Sequence, residues 1–291
     1  MRSHWLALQN IKMPICKKVC LIFILLMIIP QIAIAINISF FEEFPDETTF
    51  GTVSMIDFDT RIYIAARNLS EFYNLENKLK YKNEHIEEVI YWPVLSKEEG
   101  YWISPWSDSE ALSRVFENVL NRSSNHQLVL LLDLEPPLKR SRLLNFEDFK
   151  HNKEVITNFV KSAKSYNISV ITVEKSYIPD SVLEVFALSF NPKIYGNKRA
   201  KMYYSSFRRR FLPEFIVDYL FERKVMQYSK DGTIIGIGLI ASGVHNESYL
   251  NSPVVLQKEL AIASEHSLSE TIVFSLDGLY GSYAAVIKEF S

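Results

Sequence analysis

The sequence predicts a closed (β/α)8 TIM barrel, an α/β fold of parallel strands, preceded by an N-terminal signal segment. Three observations predict it. From residue 36 onward, short β-branched or aromatic runs alternate with longer stretches of helical period, and such alternation argues for a parallel sheet. Several of the short runs are continuously apolar, as strands covered on both faces are; Val129-Leu130-Leu131-Leu132 and Ile234-Ile235-Gly236-Ile237 are the clearest. Strand–helix units repeated through about 255 residues match one such barrel in size. The competing arrangement is an open doubly wound sheet, but no Gly-x-Gly-x-x-Gly turn follows the first strand.

Residues 1–35 read as the signal. Lys17 and Lys18 precede an apolar stretch over 19–35, interrupted by Pro30-Gln31 and ending Ala33-Ile34-Ala35. A charged start, a short apolar run and a small-x-small ending make a cleavable secretory signal. The stretch is short for a comfortable membrane span. The expected localisation is therefore secreted or extracytoplasmic, the alternative being a chain anchored in the membrane by 19–35. Cys16 precedes the apolar run and Cys20 lies at its start, so cleavage after it leaves no cysteine for a disulfide or a thiolate metal site.

The barrel domain is expected over 36–291. Its strands are predicted at 38–43, 61–66, 88–94, 128–134, 168–174, 201–205, 234–241 and 270–276. Helical stretches are predicted at 70–80, 109–120, 148–165, 212–226 and 254–264, with 283–290 closing the barrel and weaker segments at 49–58 and 181–188. The hydrophobic fraction of 48% supplies a large core. With 32 basic against 34 acidic residues, the charge gives no reason to expect nucleic acid as a partner.

Functional residues of such barrels lie at the C-terminal ends of the strands and in the loops that follow. Read in order, these ends offer Glu42 and Glu43, then Trp92 with Tyr101, Trp102 and Trp106 in the next loop, then Asp133-Leu134-Glu135, Glu174, Tyr203 and Tyr204, and Asp277. A carboxylate at a crowded rim is costly unless it is used or paired. For Glu42, Glu43, Glu174 and Asp277, a helix cap or a rim ion pair stands level with a functional role, and Asp277-Gly278 equally reads as a turn. Asp133 and Glu135 form the sharpest signal. Residues two apart on a strand share a side, so both carboxylates face the barrel axis while Leu132 and Leu134 pack outward. Two carboxyls in a restricted space push their pKa values apart, which is the division of labour that acid catalysis needs. The other reading of Glu135, followed by two prolines, is a simple loop residue.

An Asp-x-Glu ending the fourth strand of a (β/α)8 barrel resembles the catalytic strand of chitinase-type and lysozyme-type glycoside hydrolases, which act on N-acetylated sugars. The resemblance implies that Glu135 is the proton donor and that Asp133 orients the substrate or supports the charge. The chitinase-type pattern has a further Asp two positions upstream, where this chain has Leu131. Tyr203 or Tyr204 fits that arrangement at the sixth strand.

The aromatic loop fits a sugar site, because pyranose C–H faces stack on indole rings; core packing of Trp92 and Trp106 is the equal alternative. No pair of histidines has the i, i+4 spacing of a zinc helix, and no Cys-x-x-Cys, Gly-x-Ser-x-Gly or phosphate-loop motif is present. No metal and no cofactor are expected. The expected function is an exported glycoside hydrolase with a glycan or polysaccharide substrate. The alternative is a catalytically inactive barrel that binds glycans or a protein, with membrane contact only if the N-terminal segment stays as an anchor.

Overall fold

The computed structural model describes residues 36–122, 127–138, 140–144, 147–244 and 250–291. The signal expected over 1–35 lies outside the described residues. From Asn37 the chain closes into a parallel barrel of eight strands in sequential order, with the last strand paired to the first. The strands are β1 (Asn37–Glu42), β2 (Thr60–Ala66), β3 (Ile86–Pro93), β4 (Leu128–Asp133), β5 (Ile168–Lys175), β6 (Lys198–Met202), β7 (Ile234–Ile237) and β8 (Glu270–Phe274). The helices are α1 (Glu47–Val53), α2 (Leu69–Lys82), α3 (Ser109–Arg122), α4 (Phe149–Ser162), α5 (Asp180–Val185), α6 (Pro192–Tyr195), α7 (Ser205–Arg209), α8 (Glu214–Asp231), α9 (Pro253–Glu265) and α10 (Gly281–Phe290).

Strand alternation sorts the core into two clusters. Ile38, Phe40, Leu128, Leu130, Leu132, Leu134, Ile168 and Val170 point outward into the layer between strands and helices. Phe41, Tyr63, Trp92, Leu131, Ile171, Val173 and Phe274 fill the barrel interior. Phe41 lies at the centre of that filling, its ring centroid 5.5 Å from both Tyr63 and Trp92. The N-terminal end of the barrel is closed by a polar knot. Glu270 accepts hydrogen bonds from Ser39 Oγ at 2.6 Å and Tyr63 Oη at 2.8 Å, and pairs with Arg61 at 3.2 Å. This paired charge lies at the end away from the open face, where it bears on the barrel's stability.

Three of the shifts in predicted strand boundaries bear on the site. β6 starts at Lys198 rather than 201 because its charged residues disguise it; Lys201 is fully buried against Glu174. β5 runs one residue further, to Lys175. β7 ends at Ile237, where Gly238 takes φ +60° and turns the chain out of the ladder.

Candidate functional site

The mouth of the barrel is built by strand ends and two pinned loops. The β3–α3 loop carries Tyr101 and Trp102. Ile103 N–H donates to the Asp133 carbonyl at 3.2 Å, and buried Asn152 of α4 donates to the carbonyls of Pro105 and Ser107. Tyr101 adopts φ +70°, an uncommon conformation for a bulky residue. Backbone bonds to Ser96 and Leu95 hold it there, and the result aims its hydroxyl at Glu43, to which it donates at 2.7 Å. The β7–α9 loop approaches from the other side. Val244 N–H donates to the second Glu43 oxygen at 3.0 Å, and a Cβ on neighbouring Gly243 would lie 2.7 Å from that oxygen. Glycine is therefore the residue that lets the loop close on Glu43.

A pocket of about 340 Å3 opens here, lined by Glu43, Asp133, Glu135 and Lys175 together with Trp92, Trp102, Tyr177, Met202, Tyr204, Phe207 and Phe274. Asp133 and Glu135 both face it, on the interior side shared with Leu131. Lys175 Nζ lies 2.7 Å from Glu135 Oε2. Burial by itself would lower the Lys175 ammonium, but the Glu135 carboxylate outweighs it and holds the amine above its ordinary range. Asp133 is pushed well above the usual carboxylate range, first by burial, then by the charges of Glu135 and Glu43, with Lys175 opposing. Its Oδ1 and the Trp92 indole N–H are both buried without a hydrogen-bond partner among the described residues.

Of the other predicted site residues, Tyr101, Trp102 and Tyr204 reach the mouth or its wall. Five do not: strand parity turns Glu42, Glu174 and Tyr203 outward, and Trp106 and Asp277 lie in the segments that follow β3 and β8. Glu42 follows Phe40 to the outer face, where it is wholly buried and accepts from Phe44 N–H at 3.0 Å. Burial, then the neighbouring Asp277 carboxyl, raise Glu42 to about 9, which favours its neutral form outside the barrel. Glu174 likewise follows Val170 and Thr172 outward. It accepts from Ser189 Oγ at 2.8 Å and Phe190 N–H at 3.1 Å, and pairs with Lys201 at 2.6 Å. Trp106 stacks on Phe186 and packs on Phe149 outside the sheet. Tyr203 packs on Phe221 beneath Arg208, also on the helix side. The rim acids of strands one, four, five and eight thus do not converge; Glu43, Asp133 and Glu135 do. Lys175 is the residue that the sequence reading missed. It was visible as the third member of the alternation Ile171, Val173, Lys175, concealed by ending the strand at Glu174.

Among the described residues no three His, Cys, Asp or Glu side chains are grouped to hold a metal ion. No protein-family model matches the sequence, and neither does any curated protein. Solved structures do match in fold. A xylose isomerase domain protein from Planctomyces limnophilus aligns with TM-score 0.53 and 11% identity, over 88% of this chain and 95% of its own. A GH26 β-mannanase from Bacteroides ovatus aligns with TM-score 0.51 and 9% identity, over 89% and 88%. The likeness establishes the TIM barrel. The two neighbours carry different activities in their names, so the fold by itself assigns no reaction.

Proposed function

We propose that this protein is an exported carbohydrate-active barrel that hydrolyses a glycosidic bond. The observation that carries the reading is the convergence of Glu43, Asp133 and Glu135 on one aromatic-walled pocket at the C-terminal face. Unpartnered polar atoms on the pocket floor, Asp133 Oδ1 and Trp92 Nε1, fit a ligand that brings its own hydroxyls. Trp102 and Tyr204 supply flat apolar walls for sugar rings.

The surroundings divide the carboxyl roles. The expectation from sequence gave Glu135 the proton and left Asp133 charged. The ammonium of Lys175 beside Glu135, and the buried setting of Asp133, favour the reverse in the free protein. In this reading Asp133 keeps the proton and delivers it to the leaving oxygen. Glu135 acts as the carboxylate, either attacking the anomeric carbon or activating water. Glu43, fixed by Tyr101 and Val244, orients the sugar or supports the developing positive charge. Residues 1–35 would direct export and be removed.

A second reading is a barrel that binds glycans without cleaving them. The Lys175–Glu135 ion pair favours it, because a carboxylate held by an ammonium is a weaker nucleophile and base. A screen of soluble oligosaccharides, read both by reducing-end release and by calorimetric binding, tests the two. Release supports hydrolysis, binding without release supports the second reading, and neither signal across neutral and N-acetylated glycans overturns both.

A further inference from the structure

A second groove of about 390 Å3 runs out of the mouth over β5, β6 and α7. It shares Glu135, Lys175 and Tyr204 with the mouth pocket, so the two form one continuous depression. Charge is unevenly placed along it. Glu43 and Asp133 line the mouth alone, Glu135 and Lys175 stand at the junction as a pair 2.7 Å apart, and Arg208 lines the outer groove alone. Arg208 is half-buried, and its guanidinium lies over the Tyr203 ring, 4.8 Å from the centroid. Such stacking fixes the plane of the guanidinium and leaves its N–H edge open to a partner. The half-buried neighbours Arg199 and Arg209 have acids for partners, Asp180 and Asp218, each at 2.7 Å. No carboxylate pairs with Arg208 among the described residues. A partly desolvated cation, held in one plane in a concave site, gains from an oxyanion brought to it.

We propose that Arg208 makes the outer groove an oxyanion subsite, which takes a carboxylate or a sulfate ester of an acidic glycan whose chain continues from the mouth. The acids of the mouth set the direction. Glu43 and Glu135 repel a further anion beside them, so the charged residue of the glycan is left to the Arg208 end. A neutral sugar in the groove accepts hydrogen bonds from the guanidinium but brings no counter-charge. The glycan form of the ligand rests on the hydrolase reading above. The oxyanion subsite itself rests on Arg208 and its place in the groove.

Glycans matched in all but charge test this by calorimetry at neutral pH. Oligogalacturonides against their methyl esters probe a carboxylate, and sulfated against desulfated chondroitin oligosaccharides probe a sulfate. In at least one pair the charged member should bind about tenfold or more tightly, as a charge-assisted hydrogen bond allows. That advantage should shrink as salt is raised. The pair that shows it tells carboxylate from sulfate. Arg208→Gln should abolish the advantage while leaving the affinity for the neutral member unchanged. Arg208→Lys should restore part of it, since it returns the charge without the planar fork. Arg208 holds no ion pair among the described residues, so both variants are expected to fold, and their melting curves check this. Neutral members that bind as tightly as charged ones, no binding of any charged member, or an advantage that persists in folded Arg208→Gln overturns the proposal. Reducing-end release on the same glycans separates it from the hydrolase reading. Arg208-dependent binding without release keeps the subsite and removes hydrolysis of these glycans. Release with no preference for charge keeps hydrolysis and removes the subsite.

Discussion

Lys175, at the end of β5, and Glu135, two residues beyond the end of β4, form an ion pair with Nζ 2.7 Å from Oε2 at the barrel mouth. The pair ties the charge of Glu135 to that of a partly buried amine.

Glu135→Gln keeps the shape and removes the charge. Turnover of any glycoside that the protein hydrolyses should fall by at least about a hundredfold while the melting temperature changes little. With its counter-charge gone, the Lys175 amine should titrate lower, because burial is then opposed by less negative charge. Kinetics on the hydrolysed substrate, with amine titration by chemical modification rate against pH, check both. Wild-type turnover in the variant rejects a catalytic Glu135.

Glu42→Gln should stabilise the protein. Glu42 is raised from an ordinary carboxylate value to about 9 by burial and by Asp277. A raised acid contributes stability that is fully present below its unfolded value and is lost as pH rises toward the folded value. The cost therefore grows from about pH 4.5 upward and stands at about 1–3 kcal/mol near pH 7. Glutamine still accepts from Phe44 N–H and can donate to Asp277 without titrating. Thermal melts at pH 5 and pH 8 should show a gain at pH 8 that shrinks at pH 5. A loss of stability at pH 8 removes the account of a raised Glu42.

The barrel was legible in the sequence because its strands are continuous apolar runs, and runs such as Val129-Leu130-Leu131-Leu132 survive any uncertainty about their ends. The Asp133–Glu135 pair was legible for a related reason: a separation of two residues fixes the side whatever the boundary. Single acids were not. Glu42 and Glu43 differ by one residue, and one residue sends them to opposite faces of the same strand. Likewise Glu174 goes outward and Lys175 inward, so a strand ended one residue early exchanges a structural acid for a residue of the mouth. β6 was placed at 201–205, three residues late, because the charged pair Lys198 and Arg199 opens it. The charges within it are matched by tertiary partners, Arg199 by Asp180 and Lys201 by Glu174 and Asp180.

Glu174→Gln should destabilise without touching the mouth. The carboxylate is wholly buried and holds Lys201, itself 2% exposed, at 2.6 Å. Breaking a buried pair on one side costs about 3–5 kcal/mol, and the low end is expected because Asp180 remains 2.7 Å from the same amine. Denaturant melts should report the loss, while turnover or ligand affinity per folded molecule stays at the wild-type level. A selective loss of ligand affinity with unchanged stability would return Glu174 to the functional site.

Asp133→Asn tests where the proton resides. Asp133 is 6% exposed, its Oδ1 has no partner among the described residues, and two carboxylates approach it against one ammonium. Each of these favours the neutral acid, so its folded pKa is raised. If Asp133 donates the proton, activity is present while it is protonated and falls as pH rises through the raised value, giving the alkaline limb of the kcat/KM profile. Asparagine cannot supply a proton. The variant should lose at least about a hundredfold in turnover on substrates with poor leaving groups. It should lose far less on activated aryl glycosides, whose leaving oxygen needs little protonation, and with them the alkaline limb should disappear. Because asparagine is uncharged, it also removes the desolvation strain at that position, so the fold should be as stable as the wild type or more so above neutral pH. An unchanged alkaline limb in Asp133→Asn would place the proton on another group, and Glu135 would be the next to examine by the same leaving-group series.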